Sequence, residues 1–254
     1  MDKFLKRTRD DDGPCADDEK RQKKGRTTFL YVKPARDVVE VLSSLGRVVT
    51  FTEFKTWPKS MPSNVAKVEA AAAAAATDGP VVLVGNSFGC RIVAGVLAKR
   101  GEAWSDKAVM VSYPLYGEKP QPERAAILQG VHGGAKLLFH SGSRDEYLDR
   151  SSWRGAAAPT GVAALEAVLS ESISKPEATF SVVDGAKHSA CGSRAAKAQL
   201  RSALVAFLAE RSEAPAAEKA EAPAVAHDWG SGQALGSGRR AEKGATEAAA
   251  IDLR

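Results

Sequence analysis

The stretch Val81-Val82-Leu83-Val84-Gly85-Asn86-Ser87-Phe88-Gly89-Cys90-Arg91-Ile92-Val93 constrains this chain more than any other. Its first four residues are apolar without alternation, as a strand buried on both faces requires. The run stops at Gly-x-Ser-x-Gly. An apolar helical pattern begins at once, with Ile92, Val93, Val96 and Leu97 at helical spacing. The stretch therefore reads as a strand, a sharp turn and a helix, with a serine at the tip. Gly85 and Gly89 leave room for the strand and helix to pass closely. A match to five common residues is weak on its own. Its position between a buried-strand pattern and a helix gives it weight as a nucleophile elbow.

The rest of the chain has the same alternation. Strands are expected at Thr28 to Val32, Arg47 to Phe51, Lys107 to Ser112, Ala135 to His140 and Ala178 to Val183, in addition to the elbow strand. Helices are expected at Asp37 to Leu45, ended by Gly46, and over the alanine-rich run Ser63 to Thr77. Further helices are expected after the elbow and near Pro122 to Gln129, Val162 to Ser172 and Ala195 to Glu210. Strands separated this regularly by helices imply a mostly parallel sheet of about six strands with helices on both faces. In such sheets the loops at the carboxyl ends of the strands build the site.

Composition sets the limits around this core. With 254 residues, 44% hydrophobic and 26% charged, the chain can bury one substantial core. We expect that domain to span residues 27–212. Residues 1–26 are poor in apolar side chains, and residues 213–254 are rich in Ala, Glu, Pro, Gly and Ser without periodicity. Both are expected to be disordered tails. The N-terminal segment holds two basic groups, Lys6-Arg7 and Lys20-Arg21-Gln22-Lys23-Lys24, separated by twelve residues. Two such groups resemble a bipartite nuclear-import signal, so Lys6, Arg7, Lys20, Arg21, Lys23 and Lys24 are candidates to bind an import receptor. The expected location is nuclear or nucleo-cytoplasmic.

Direct nucleic-acid binding is disfavoured. The intervening Asp10-Asp11-Asp12 and Asp17-Asp18-Glu19 repel phosphates, and no aromatics are interleaved. The net charge of +5 is mild. Cys15, Cys90 and Cys191 have no metal-ligand spacing, which suggests reduced thiols in an intracellular protein and no metal or cofactor. No apolar run is long enough to span a membrane, and a charged block stands where a signal peptide carries its apolar segment.

A serine hydroxyl needs an adjacent base to act as a nucleophile near neutral pH, and the base needs a carboxylate to fix its tautomer. Ser87 follows the third predicted strand, Asp145 the fifth and His188 the sixth. Ser, Asp, His is the chain order of one class of hydrolase sheet. Of the other histidines, His132 lies in a Gly-rich loop, His140 at a strand end and His227 in the C-terminal tail. We therefore assign His188 as the base and give His140 a packing or supporting role. Glu146 and Asp149 compete for the acid role, and the short Gly-x-x-Asp turn favours Asp145. Cys90 and Cys191 read as small buried residues.

Four segments carry a family resemblance: Gly85-Asn86-Ser87-Phe88-Gly89-Cys90-Arg91, Ser112-Tyr113-Pro114-Leu115, Ser141-Gly142-Ser143-Arg144-Asp145 and Gly185-Ala186-Lys187-His188-Ser189. Over roughly residues 28–210 the chain resembles the testis-expressed 30 and KANSL3-like branch of α/β-hydrolases, related to dienelactone hydrolases. The resemblance implies a compact α/β-hydrolase fold without a large cap domain, with Ser87 as nucleophile, Asp145 as acid and His188 as base. The short Ser112 to Gly134 connection leaves no room for a large lid, so the expected substrate is a small ester or other acyl compound. It also implies an association of some members with a nuclear histone-acetyltransferase complex. Members of the branch carry a His-Gly-Ala-Gly-like loop after the first strand, whose backbone N–H helps bind the oxyanion.

Here that position reads Lys33-Pro34-Ala35-Arg36-Asp37, and Pro34 has no N–H. The Phe88 N–H is the expected first oxyanion donor, and the Ala35 N–H the expected second if the loop bends inward. Losing one donor costs about 100- to 1000-fold in turnover. Two classes of function therefore stand: a serine hydrolase, and a hydrolase-fold protein used for interaction. Asn86, Tyr113, Leu115 and Trp57 are candidates to line a mostly apolar pocket.

Overall fold

Period-two alternation sets the architecture of the computed structural model, which describes residues 27–54, 60–100, 106–117, 121–149 and 159–210. In β1 (Thr28–Val32), Leu30 and Val32 join one hydrophobic cluster while Phe29 and Tyr31 join another. The pattern repeats in β3 (Val81–Asn86), with Val81 and Leu83 on one face and Val82 and Val84 on the other. It repeats again in β4 (Lys107–Val111), with Ala108 and Met110 opposite Val109 and Val111. Strands apolar on both faces have to be covered on both faces.

Helices meet that demand. α2 (Met61–Ala76), α3 (Phe88–Arg100), α4 (Pro122–Gln129) and α5 (Val162–Ser170) pack on the face of Leu30 and Leu83. α1 (Arg36–Ser43) and α6 (Arg194–Ala209) pack on the face of Phe29 and Val82. The remaining strands are β2 (Arg47–Phe51), β5 (Lys136–Gly142) and β6 (Glu177–Val183). All six form one parallel sheet in the order β2-β1-β3-β4-β5-β6. The strand order reverses direction between β1 and β3. The chain leaves β1 for α1 on one face and leaves β3 for α3 on the other, which opens a crevice at their carboxyl ends.

Element boundaries match the sequence expectation within a few residues, with one instructive exception. Ser141 and Gly142, expected in a loop, extend β5 by pairing with Val182 and Val183 of β6. At the opposite end of the sheet the Lys107 ammonium donates to the carbonyls of Phe207, Leu208 and Glu210, at 3.0, 3.5 and 2.5 Å. A β4 side chain thereby caps the C-terminus of α6 with a cation, where carbonyls lack helical partners. Among the described residues no helix is long and apolar enough to cross a membrane. The basic groups from Lys6 to Lys24, Cys15, Trp57, His227 and the C-terminal segment 213–254 lie outside the described residues.

Candidate active site

Ser87 sits between β3 and α3 with φ of 51°, a left-handed conformation that a residue with a Cβ adopts only under constraint. The constraint is visible on both sides. Ser87 N–H donates to Val111 O of β4 at 2.9 Å, and Cys90 N–H donates to Ser87 O at 2.9 Å. The turn is this tight because its glycines carry no side chain. A Cβ on Gly85 would stand 2.5 Å from Cys90 Cα, and one on Gly89 would stand 2.3 Å from Val32 O. The apolar strand, the glycines and the helix start thus hold the hydroxyl at the carboxyl edge of the sheet.

Asp145 and His188 come from the loops after β5 and β6. β6 lies three strands from β3, about 14 Å at ordinary strand spacing, so the His188 loop has to reach back over β5 and β4. Hydrogen bonds lace it to the Asp145 loop. Ser143 N–H donates to Val183 O, Arg144 N–H to Ala186 O and Gly185 N–H to Ser143 Oγ, at 2.9, 2.9 and 2.8 Å. Gly142 makes the crossing sterically feasible, because a Cβ there would lie 2.1 Å from Ala186 O.

The three side chains meet. His188 Nδ1 lies 3.0 Å from both Asp145 carboxylate oxygens, and His188 Nε2 lies 2.8 Å from Ser87 Oγ. Since a carboxylate only accepts, Nδ1 carries the proton and Nε2 is left to accept from the Ser87 hydroxyl. The Asp145 side chain is fully buried and accepts a further bond from Tyr147 N–H at 2.9 Å. Glu146, the competing acid, instead accepts from the His188 backbone N–H at 3.4 Å, and Asp149 is exposed.

Two supports hold His188 in place, one of them the expected supporting residue His140 and the other, Tyr147, without a sequence signal. The Tyr147 ring packs on the imidazole at 4.5 Å between centroids. Behind it, His140 is fully buried at the end of β5, with Nδ1 3.0 Å from Ser181 Oγ and Nε2 3.3 Å from Ala190 O, two residues past His188. A carbonyl only accepts, so Nε2 holds the proton and Ser181 donates to Nδ1. Gln199 Nε2 of α6 in turn donates to Ser181 Oγ at 3.4 Å. Burial pushes the His140 pKa down to about 4, which keeps the ring neutral.

The remaining candidate residues sort differently. Phe88 is the first residue of α3, and its ring packs between Phe54 and the Arg91 guanidinium. Its N–H stands at a helix N-terminus, where backbone donors point out of the helix. The Ala35 N–H, expected as the second oxyanion donor, donates to Tyr31 Oη at 3.1 Å. Lys33 N–H is likewise committed to Phe51 O at 3.2 Å. The loop does not bend inward to present a backbone donor, because its N–H groups satisfy β1 and β2.

Asn86 lies half-buried at the end of β3, next to Ser87. Tyr113 and Leu115 are core residues rather than pocket walls. They are 0% and 1% exposed, and the Tyr113 hydroxyl donates to Arg124 O at 2.7 Å. Both Cys90 and Cys191 are free and buried, and burial pushes the Cys191 thiol up to about 12 and the Cys90 thiol higher still. Neither is a thiolate at neutral pH.

Comparison with solved structures gives the fold its class. A homologue of an αβ serine hydrolase from Coxiella burnetii aligns over 72% of this chain and 85% of its own, with 20% identity and a TM-score of 0.50. A truncated carbohydrate esterase from gut microbiota aligns over 73% and 87%, with 13% identity and a TM-score of 0.52. A metagenome-derived lipolytic enzyme aligns over 73% and 94%, with 12% identity and a TM-score of 0.51. At these identities the likeness establishes the fold, which is the α/β-hydrolase fold. No protein-family model matches the sequence, and no curated protein matches it.

Proposed function

We propose that this chain is a serine hydrolase that cleaves a small ester or related acyl substrate through an acyl-enzyme on Ser87. The observation that carries this reading is the unbroken hydrogen-bonded line from Ser87 through His188 to Asp145. Ser87 Oγ attacks the carbonyl carbon as its proton passes to His188 Nε2. The resulting imidazolium is stabilised by the Asp145 carboxylate, and the oxyanion meets the Phe88 N–H. His188 then gives the proton to the leaving oxygen, which departs as an alcohol. Water, deprotonated by His188, releases the acid and restores Ser87. Within the fold, the four loop segments named above support a place in the testis-expressed 30 and KANSL3-like branch.

The test is turnover of p-nitrophenyl butyrate by wild type, Ser87→Ala, His188→Ala and Asp145→Ala. We expect each substitution to lower kcat by about 1000-fold or more, with the protein still folded. Equal turnover by wild type and Ser87→Ala overturns the reading.

One observation favours a second reading. Lys33, Pro34 and Ala35 offer no uncommitted backbone N–H to an oxyanion, which fits a hydrolase-fold protein working mainly through a partner. A nuclear complex would be the setting, reached through the N-terminal basic groups. A partner that binds wild type and Ser87→Ala equally, with neither form turning over esters, supports this alternative.

A further inference from the structure

Four non-glycine residues among those described have positive φ, and three of them follow adjacent strands at the site edge: Lys33 after β1, Ser87 after β3 and Ser112 after β4. Strain of this kind concentrates where a site is held in shape. Of the three at the site edge, Lys33, with φ of 58°, is the one that bears a charge. It stands on the β1 side of the crevice where the strand order reverses, opposite Ser87 on the β3 side. The two loops touch. The Lys33 Cβ lies 3.2 Å from the place a Gly89 Cβ would occupy, two residues past the serine.

Lys33 also sits where a second oxyanion donor is wanted and where the backbone supplies none. Its own N–H serves Phe51 O, Pro34 has no N–H, and the Ala35 N–H serves Tyr31 Oη. Its side chain is half-buried, and no described carboxylate pairs with it. From Gly89 the four-carbon stem is long enough to bring three rotatable donors to the space beside the Phe88 N–H. Resting on the Ser87 reading above, we propose that the Lys33 ammonium supplies the second oxyanion contact in this site, in place of a loop backbone N–H. A charged donor in a partly desolvated crevice binds a developing alkoxide more strongly than a neutral amide does. Burial, with the Arg91 cation adding to it, lowers the Lys33 pKa and marks the ammonium as short of solvent.

The experiment compares wild type, Lys33→Met, Lys33→Arg and Lys33→Gly, each checked for folding by circular dichroism and thermal melting. Two substrates are used, neutral p-nitrophenyl butyrate and anionic mono-p-nitrophenyl succinate. Lys33→Met is expected to lower kcat for both esters about 100-fold, and Lys33→Arg to keep it within about tenfold of wild type. Lys33→Gly relieves the left-handed backbone, so it is expected to melt no lower than wild type and still lose kcat like Lys33→Met. A kcat for Lys33→Met within threefold of wild type overturns the proposal and leaves the Ser87 reading intact. Loss confined to the succinate ester also overturns it, since Lys33 then binds a substrate carboxylate. Wild-type turnover that does not depend on Ser87 overturns both.

Discussion

At the scale of single residues, the chemistry of the site follows from which donors can face which acceptors. Asp145 can only accept, so it dictates the His188 tautomer, and that tautomer leaves Nε2 for Ser87. The same logic fixes His140 as a neutral ring between Ser181 and Ala190 O, and it gives a pH dependence of known sign. The unfolded imidazole takes up a proton below its ordinary value of 6.5, whereas the buried ring resists until about 4. The stability owed to this ring is therefore complete above pH 6.5 and is lost as the pH falls through that window. The loss is on the order of 3 kcal/mol.

His140→Gln can keep both hydrogen bonds without titrating. We expect its unfolding free energy, measured in urea, to change less between pH 7 and pH 4.5 than that of wild type. Parallel curves would contradict the assignment. Ser87, Asp145 and His188 were legible in the sequence because each closes a strand at the same edge. Tyr147, Ser181 and Gln199 were not, because they act through contacts between loops and strands far apart in sequence. Tyr113 and Leu115 were legible as apolar, but nothing in their spacing reveals that they point into the core.

At the scale of elements, the β5 and β6 loops bring Asp145 and His188 together only because they can cross closely. Gly142→Ala places a methyl group against Ala186 O and pushes the two loops apart. We expect it to destabilise the protein by about 3 kcal/mol and to lower kcat together with the melting temperature. A variant with unchanged melting and turnover would show the crossing to be slack. The Lys107 cap makes a separate prediction, remote from the site. Lys107→Met leaves the last carbonyls of α6 without their cation and is expected to cost about 2 kcal/mol. The last turn of α6 should then exchange its amide hydrogens faster while kcat is unchanged. Strands and helices were readable from period-two and helical patterning to within a few residues. The extension of β5 through Gly142 is not legible in the sequence because Ser-Gly-Ser reads locally as a turn, and only pairing with β6 makes it a strand.

At the scale of the whole molecule, a parallel sheet apolar on both faces requires helices on both faces. The reversal of strand order then leaves one crevice, between the ends of β1 and β3. Ser87 stands on one side of it and Lys33 on the other. The N-terminal basic groups belong to this scale as well. Deleting residues 1–26 from a fluorescent fusion is expected to abolish nuclear accumulation, and unchanged accumulation would remove the import reading. The central claim, a nucleophilic Ser87 activated by His188 and Asp145, is tested most directly by mass spectrometry of the folded protein after treatment with a fluorophosphonate. One adduct per chain is expected, on the peptide bearing Ser87, with none in Ser87→Ala and much slower uptake in His188→Ala. Folded wild type that takes up no adduct, or takes it up on another residue, would contradict it.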